Sequence, residues 1–193
     1  MDLTQGTDQH KTGRAKKMML WFGIISMAMM FAGLTSAYVV SKNRPDWISD
    51  LELPTSFLWS TAVIFLSSLT IMFAEKAIKK EDRQQGTMLL WATLLLAGTF
   101  IYLQFQGFGQ LIADGYYFTG SESTVTTSFI YVVVLTHLAH LAGGIVVLFV
   151  LIYNHFKQKY QAGQTLGLEL GATYWHFVDA LWIYLILFLY FFR

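Results

Sequence analysis

The chain has 193 residues, of which 55% are hydrophobic, 17% aromatic and only 13% charged, with a formal net charge of +1. Its charged share is about half that of an ordinary soluble domain, which reads as a membrane protein, and its basic residues are spread over several loops, which argues against a nucleic-acid-binding face. The absence of cysteine excludes thioether-linked haem, an iron–sulfur cluster, a thiolate copper site and a disulfide, so any redox chemistry needs a partner chain.

Residues 1–17, MDLTQGTDQHKTGRAKK, form a polar, basic tail, and residues 18–193 read as one transmembrane domain. A span needs about 20 apolar residues to cross about 30 Å of hydrocarbon. The first such stretch, 18–41, is too long for a secretory leader's apolar region and precedes no soluble domain, so it is expected to be retained. The second, 54–75, opens on ELPTS, where Pro54 suits the first helical turn because its missing N–H is not needed there. It ends where AEKAIKKEDRQQG turns charged, with Glu75 placed for solvation or a surface salt bridge, and Gly86 begins the third span, 86–112. The fourth, 126–154, is longer than a bilayer requires and must tilt or project into water. The fifth covers 171–192. No internal repeat or low-complexity linker interrupts them.

The expected fold is therefore an all-α bundle of five transmembrane helices. Lysine and arginine counts orient it, because short cytoplasmic loops retain them. Lys11, Arg14, Lys16, Lys17, Lys76, Lys79, Lys80, Arg83, Lys157 and Lys159 fall on one side, ten residues against Lys42, Arg44 and Arg193 on the other. The N-terminus is expected in the cytoplasm and the C-terminus on the external, periplasmic side. Trp21, Trp47, Trp59, Trp91 and Trp175 lie near span ends, where amphipathic rings sit at headgroup level.

Two groups of ionisable residues interrupt the apolar background. In THLAHLAGG, His137 and His140 are three apart on one helical face. They could ligate a metal, hydrogen-bond to neighbouring helices, or touch a partner subunit or lipid. A metal needs further ligands, and His176, the only other histidine inside a span, sits about 13 Å away along the membrane normal by helical rise; His10 is in the tail and His155 at a span end. In ELGATYWHFVDALW, Glu169, His176 and Asp179 project within one broad face. Carboxylates at membrane depth are expensive unless paired, and Asp179 could accept from His176 or from tryptophan N–H groups. The trio fits a satisfied polar cluster fixing helix register, a lipid or subunit contact, or a proton relay. Gln104 and Gln106 also call for partners inside the bundle, and the small residues of AGLTSAY and LAGG permit close helix approach.

THLAHLAGG and ELGATYWHFVDALW together resemble subunit III of the haem-copper oxidases, the cytochrome c oxidase subunit 3 family. The family's H-G-x-H-V is matched by His137, Leu138, Ala139, His140 and Leu141, with the glycine replaced. Its E-x-G-x-x-Y-W-H-F-V-D-x-x-W is matched by Glu169, Gly171, Tyr174, Trp175, His176, Phe177, Val178, Asp179 and Trp182. SSLTIMFAEKAIKKEDRQQG and GTFIYLQFQ are similar to further helices of the family, so the likeness runs from about Met18 onward. Five spans with the N-terminus inside is what the short bacterial form has, lacking the first two helices of the seven-span form. Met27 and Gly107 stand where the family often carries buried glutamates tied to proton or lipid handling.

The resemblance implies an accessory subunit of a proton-pumping terminal oxidase in a bacterial plasma (inner) membrane. It implies no catalytic residue, cofactor or metal in this chain, with haem and copper in partner chains. It also implies packing on oxidase subunits I and II, cytochrome c as electron donor to the complex, and bound phospholipid. His137, His140, Glu169, Trp175, His176 and Asp179 are then lipid- or subunit-contact residues and a structural polar cluster. Within the same family, a nitric oxide reductase or quinol oxidase would use a similar subunit, the latter more often with Leu where Val178 stands. From another class, a stand-alone transporter would call for broken helices and repeat symmetry, which are not visible, and an assembly scaffold would be absent from the mature complex.

Overall fold

A computed structural model describes residues 8–48, 51–121, 123–160 and 165–192, with side chains from residue 11 onward; Arg193, counted above for orientation, lies outside them. Five helices follow in order: α1 (Asp8–Val40), α2 (Thr55–Lys79), α3 (Arg83–Ala113), α4 (Val125–Phe156) and α5 (Leu166–Phe192). All five are long and apolar enough to cross a membrane, and the chain is a multi-pass membrane protein. Among the described residues all regular structure is helical, including a single 3-10 turn at Ser41–Asn43.

Helices overrun the apolar runs because charged residues continue a helix into water without penalty. α1 carries the basic stretch from Asp8 onward as helix, and α4, with 32 residues, is about 48 Å long against about 30 Å of hydrocarbon. Their starts are set locally. Pro54 precedes α2, the Asp82 side chain accepts from the Gln85 N–H to cap α3, and Thr124 and Thr127 form a reciprocal capping box at α4.

Helices α2, α3, α4 and α5 close into a four-helix ring, each packed on the next, while α1 lies outside against α5 and α4. α5 is accordingly the most buried helix and α1 the least. Small residues allow the closest approach. A Cβ at Gly144 of α4 would come within 3.3 Å of the Trp175 ring on α5, so glycine there lets the indole lie on the α4 backbone.

Candidate functional site

The interior of the ring holds a column of polar side chains, and α2 supplies most of the hydroxyls. Ser60, Thr61, Ser67 and Ser68 recur at helical spacing and face α3 and α5. At one level Gln104 of α3 donates through Nε2 to Ser60 Oγ at 2.9 Å, and the Trp182 indole N–H of α5 donates to Thr61 Oγ1 at 3.1 Å. At the next, the Trp175 N–H donates to Ser67 Oγ at 3.0 Å, and His176 Nδ1 meets the Ser68 hydroxyl at 2.5 Å. Further toward the basic end, Thr70 and Thr93 join hydroxyls at 2.9 Å. These bonds satisfy groups that hydrocarbon would leave costly, and they fix the rotation of α3 and α5 against α2.

His137 and His140 diverge. His137 is fully buried, donates through Nε2 to the Val178 carbonyl at 3.2 Å, and packs beside Trp182 and Phe100. His140 turns toward α1, where its ring meets Phe31 edge-on, and its Nδ1–H returns to the Thr136 carbonyl of its own helix at 2.7 Å. The His140 carbonyl accepts from the Tyr174 hydroxyl at 2.9 Å, tying α4 to α5. Among the described residues no three His, Cys, Asp or Glu side chains are placed to hold a metal ion together.

Glu169 stands apart from His176 and Asp179, which both face Ser68 of α2. Glu169 sits at the basic end of α5, 3.0 Å from Lys79 of α2 and 3.9 Å from Lys17 of α1, with Lys79 also 2.7 Å from Glu75. This surface clasp joins three helices and leaves His176 and Asp179 to the interior. Asp179 is only 2% exposed, and neither carboxyl oxygen has a hydrogen-bond partner among the described residues. The Trp175 and Trp182 N–H groups and His176 Nδ1 go instead to Ser67, Thr61 and Ser68 of α2, and Ser68 also lies beside the Asp179 carboxyl. His137 Nδ1 and Gln104 Oε1 are also buried without partners.

Two further expectations change. Trp175 is 2% exposed and belongs to the core rather than to the headgroup belt, whereas Trp21, Trp59 and Trp91 are exposed at the bundle surface. Gln106 faces outward and bonds Tyr102 at 2.9 Å instead of finding an interior partner. The α2 hydroxyls went unremarked in the sequence, although Ser60 and Ser67, seven residues apart, already mark one face.

Gly107 is the other telling position. A Cβ there would lie 2.2 Å from Phe57 Cε1 and 2.6 Å from Cδ1, and the Phe57 ring is itself held edge-on by Phe108 and Trp182. The space next to Gly107 is filled by an aromatic ring. On the outer side, an apolar groove of about 430 Å³ runs between α1, α4 and α5, lined by Val146, Val150, Leu170 and Tyr174 with Lys16 and Asn154 toward the basic end.

A sequence profile described as cytochrome c oxidase subunit III matches residues 4–193. The chain is similar to cytochrome c oxidase subunit 3 of Bacillus sp. strain PS3, 25% identical over 90% of this chain and 84% of the relative. It is also similar to the proteins of that name from Thermostichus vulcanus, 29% identical over 86% and 82%, and from Struthio camelus, 30% identical over 86% and 66%. Against the ostrich protein and other vertebrate relatives it spans about two thirds of their length.

Proposed function

Given that this chain belongs to the cytochrome c oxidase subunit III family, whose members are accessory subunits of haem-copper oxidases, we propose that it serves a proton-pumping terminal oxidase of a bacterial plasma membrane. Its own role is structural and lipid-holding, and it carries no catalytic residue. In this reading it packs on subunits I and II, cytochrome c feeds the complex, and haem and copper sit in those partners. The basic end, with the N-terminus, faces the cytoplasm.

The observation that carries the reading is how the family's terminal motif is used. Trp175, His176 and Trp182 direct hydrogen bonds to α2 that hold the ring together, which supports a scaffolding use of the motif. The absence of cysteine supports placing the redox centres next door. The groove between α1, α4 and α5 supports phospholipid binding: its walls suit acyl chains, and Lys16 suits an anionic headgroup.

Mild detergent extraction from the native membrane, followed by subunit analysis and visible spectroscopy, tests this. We expect the chain to co-purify with a haem-bearing subunit that reduces oxygen with cytochrome c as donor. Isolation without a haem partner would overturn the assignment, and co-purification with a nitric oxide-reducing subunit would replace it. Within the complex, Asp179→Ala is expected to shorten the turnover lifetime or weaken subunit retention while the initial rate per haem stays nearly intact. Loss of the initial rate in a fully assembled complex would make Asp179 a relay instead.

A further inference from the structure

The basic end of the bundle contains a second, differently built hollow. It measures about 200 Å³ and is lined by Ile78, Glu81, Arg83, His155 and Tyr160, between the last turn of α2, the first of α3 and the last of α4. Its walls are fixed by two helix ends of the same type. Glu81 (φ +63°) and Gln158 (φ +57°) both take the left-handed conformation, and the following N–H groups return to helix carbonyls, Asp82 to Ala77 and Lys159 to Asn154, each at 3.0 Å. Non-glycine residues adopt that conformation rarely, so these closures are specified by their surroundings.

The hydrogen-bond arithmetic around His155 fixes what it offers. The Thr87 hydroxyl has one proton, which it donates to the Arg83 carbonyl at 2.8 Å. Thr87 Oγ1, 2.9 Å from His155 Nε2, must therefore accept, so Nε2 carries the hydrogen. In the neutral ring Nδ1 is then a bare acceptor, and it has no partner among the described residues, although His155 is only 8% exposed. Glu81 and Arg83 form no ion pair with each other or with any other described residue, yet both line this one small space. Opposite charges two residues apart face a common cavity without collapsing onto each other. The hollow thus presents two acceptors, the Glu81 carboxylate and His155 Nδ1, and two donors, the Arg83 guanidinium and the Tyr160 hydroxyl.

We propose that this hollow binds a zwitterion carrying a primary ammonium and a phosphate, of the phosphoethanolamine type. The ammonium would donate to Glu81 and His155 Nδ1, and the phosphate would accept from Arg83 and Tyr160. Net charge in the hollow is zero with His155 neutral, which matches a zwitterion better than a simple anion, since Glu81 opposes the latter. A quaternary ammonium has no N–H to offer Nδ1, so the site discriminates ethanolamine from choline. The ligand can come from a membrane headgroup or from solution; Tyr160 also lines the groove beside α1, whereas Glu81, Arg83 and His155 line this hollow alone.

The test uses the purified complex containing this chain. In lipid-depleted detergent, calorimetric titration should show O-phosphoethanolamine binding at least tenfold more tightly than O-phosphocholine. Arg83→Gln and Glu81→Gln, both exposed side chains that take no part in the His155–Thr87 bond, should each weaken it about tenfold or more. In a parallel arm, native mass spectrometry follows complexes released from nanodiscs of phosphatidylethanolamine or phosphatidylcholine. A phosphatidylethanolamine retained by the parent and lost from Arg83→Gln identifies a headgroup as the occupant; soluble-probe binding without such retention identifies a free zwitterion. Equal affinity for the two probes, no binding of either probe together with no retained lipid, or indifference to both substitutions overturns the proposal.

Discussion

Replacing Gly107 by alanine should change the sign of its effect when the Phe57 ring is removed. An alanine Cβ at 107 would sit 2.2 Å from Phe57 Cε1, where unstrained carbon contacts begin near 3.4 Å, so the ring must retreat by more than 1 Å. It cannot do so freely, because Phe108 and Trp182 hold it edge-on with centroids 6.2 and 5.9 Å away. Overpacking of this kind costs about 1–3 kcal/mol, offset in part by about 1 kcal/mol from replacing a mid-helix glycine, which leaves Gly107→Ala destabilising by up to about 2 kcal/mol. Phe57→Ala alone should cost about 3–5 kcal/mol through the cavity it opens. In that background the new Cβ meets empty space, and Gly107→Ala should stabilise by about 1 kcal/mol. The coupling, about 1–3 kcal/mol, exceeds what independent sites show. Unfolding by a denaturing detergent titrated into protein held in a mild one, followed by far-ultraviolet circular dichroism, gives all four corners of the cycle. A Gly107→Ala effect equal in both backgrounds would refute the steric reasoning. The same logic predicts that Gly107→Glu, the residue type the family often carries there, is tolerated only together with Phe57→Ala.

Ser67→Ala orphans the buried Trp175 indole N–H, now 3.0 Å from Ser67 Oγ, and should cost about 1–2 kcal/mol, measurable by the same unfolding titration together with a shift in tryptophan fluorescence. Glu169→Gln cuts the clasp to Lys79 and Lys17, but surface pairs contribute only about 0–1 kcal/mol; its thermal midpoint should fall by a degree or two at low ionic strength and converge with the parent in about 1 M salt, where screening acts within about 3 Å. Burial pushes the Asp46 carboxyl up, yet hydrogen bonds from Arg44, its own backbone and Val125, with the Arg44 charge, outweigh this and hold it below the ordinary value. A depressed carboxylate contributes stability that is present above its unfolded value, about 3.9, and is lost as pH falls through the folded one. Asp46→Asn should therefore lower the thermal midpoint at neutral pH and flatten its decline in acid, and an unchanged acid profile would remove Asp46 from the connection between α1 and α4.

The five helices were legible because a long apolar run has one stable solution in lipid, a helix satisfying its own backbone. Ends were less so: nothing in apolarity tells where a charged continuation stops being helical, and α1 extends back through residues that read as tail. The candidate residues were legible as types and misleading as a group. Glu169, His176 and Asp179 share a broad face of α5, but a face looks at several neighbours. Glu169 stands at the level of Lys79, while His176 meets Ser68 deeper in the bundle. Spacing along one helix fixes direction, whereas partners depend on the facing helix, and α2 declared its hydroxyls only weakly. Trp175 was misplaced for a related reason: nearness to a span end predicts depth and says nothing about whether a ring points to lipid or to the glycine opposite, Gly144.

What the interior lacks bears on what Asp179 does. Met27 and Gly107 occupy the positions where the resembling family often has buried glutamates, and Phe57 fills the space beside the second. Among the described residues Asp179 is then the one buried carboxyl group. Gln104 Oε1 and His137 Nδ1 are likewise buried acceptors without a partner among the described residues, and the Ser68 hydroxyl lies beside Asp179. His176 is committed to Ser68. In the reading proposed above, such a buried acid holds α5 against α2 through Ser68, which His176 also meets. On that proposal Asp179 stabilises the ring in place and is not a relay. That is why the lifetime of the complex, more than its initial rate, is where the loss of Asp179 should register.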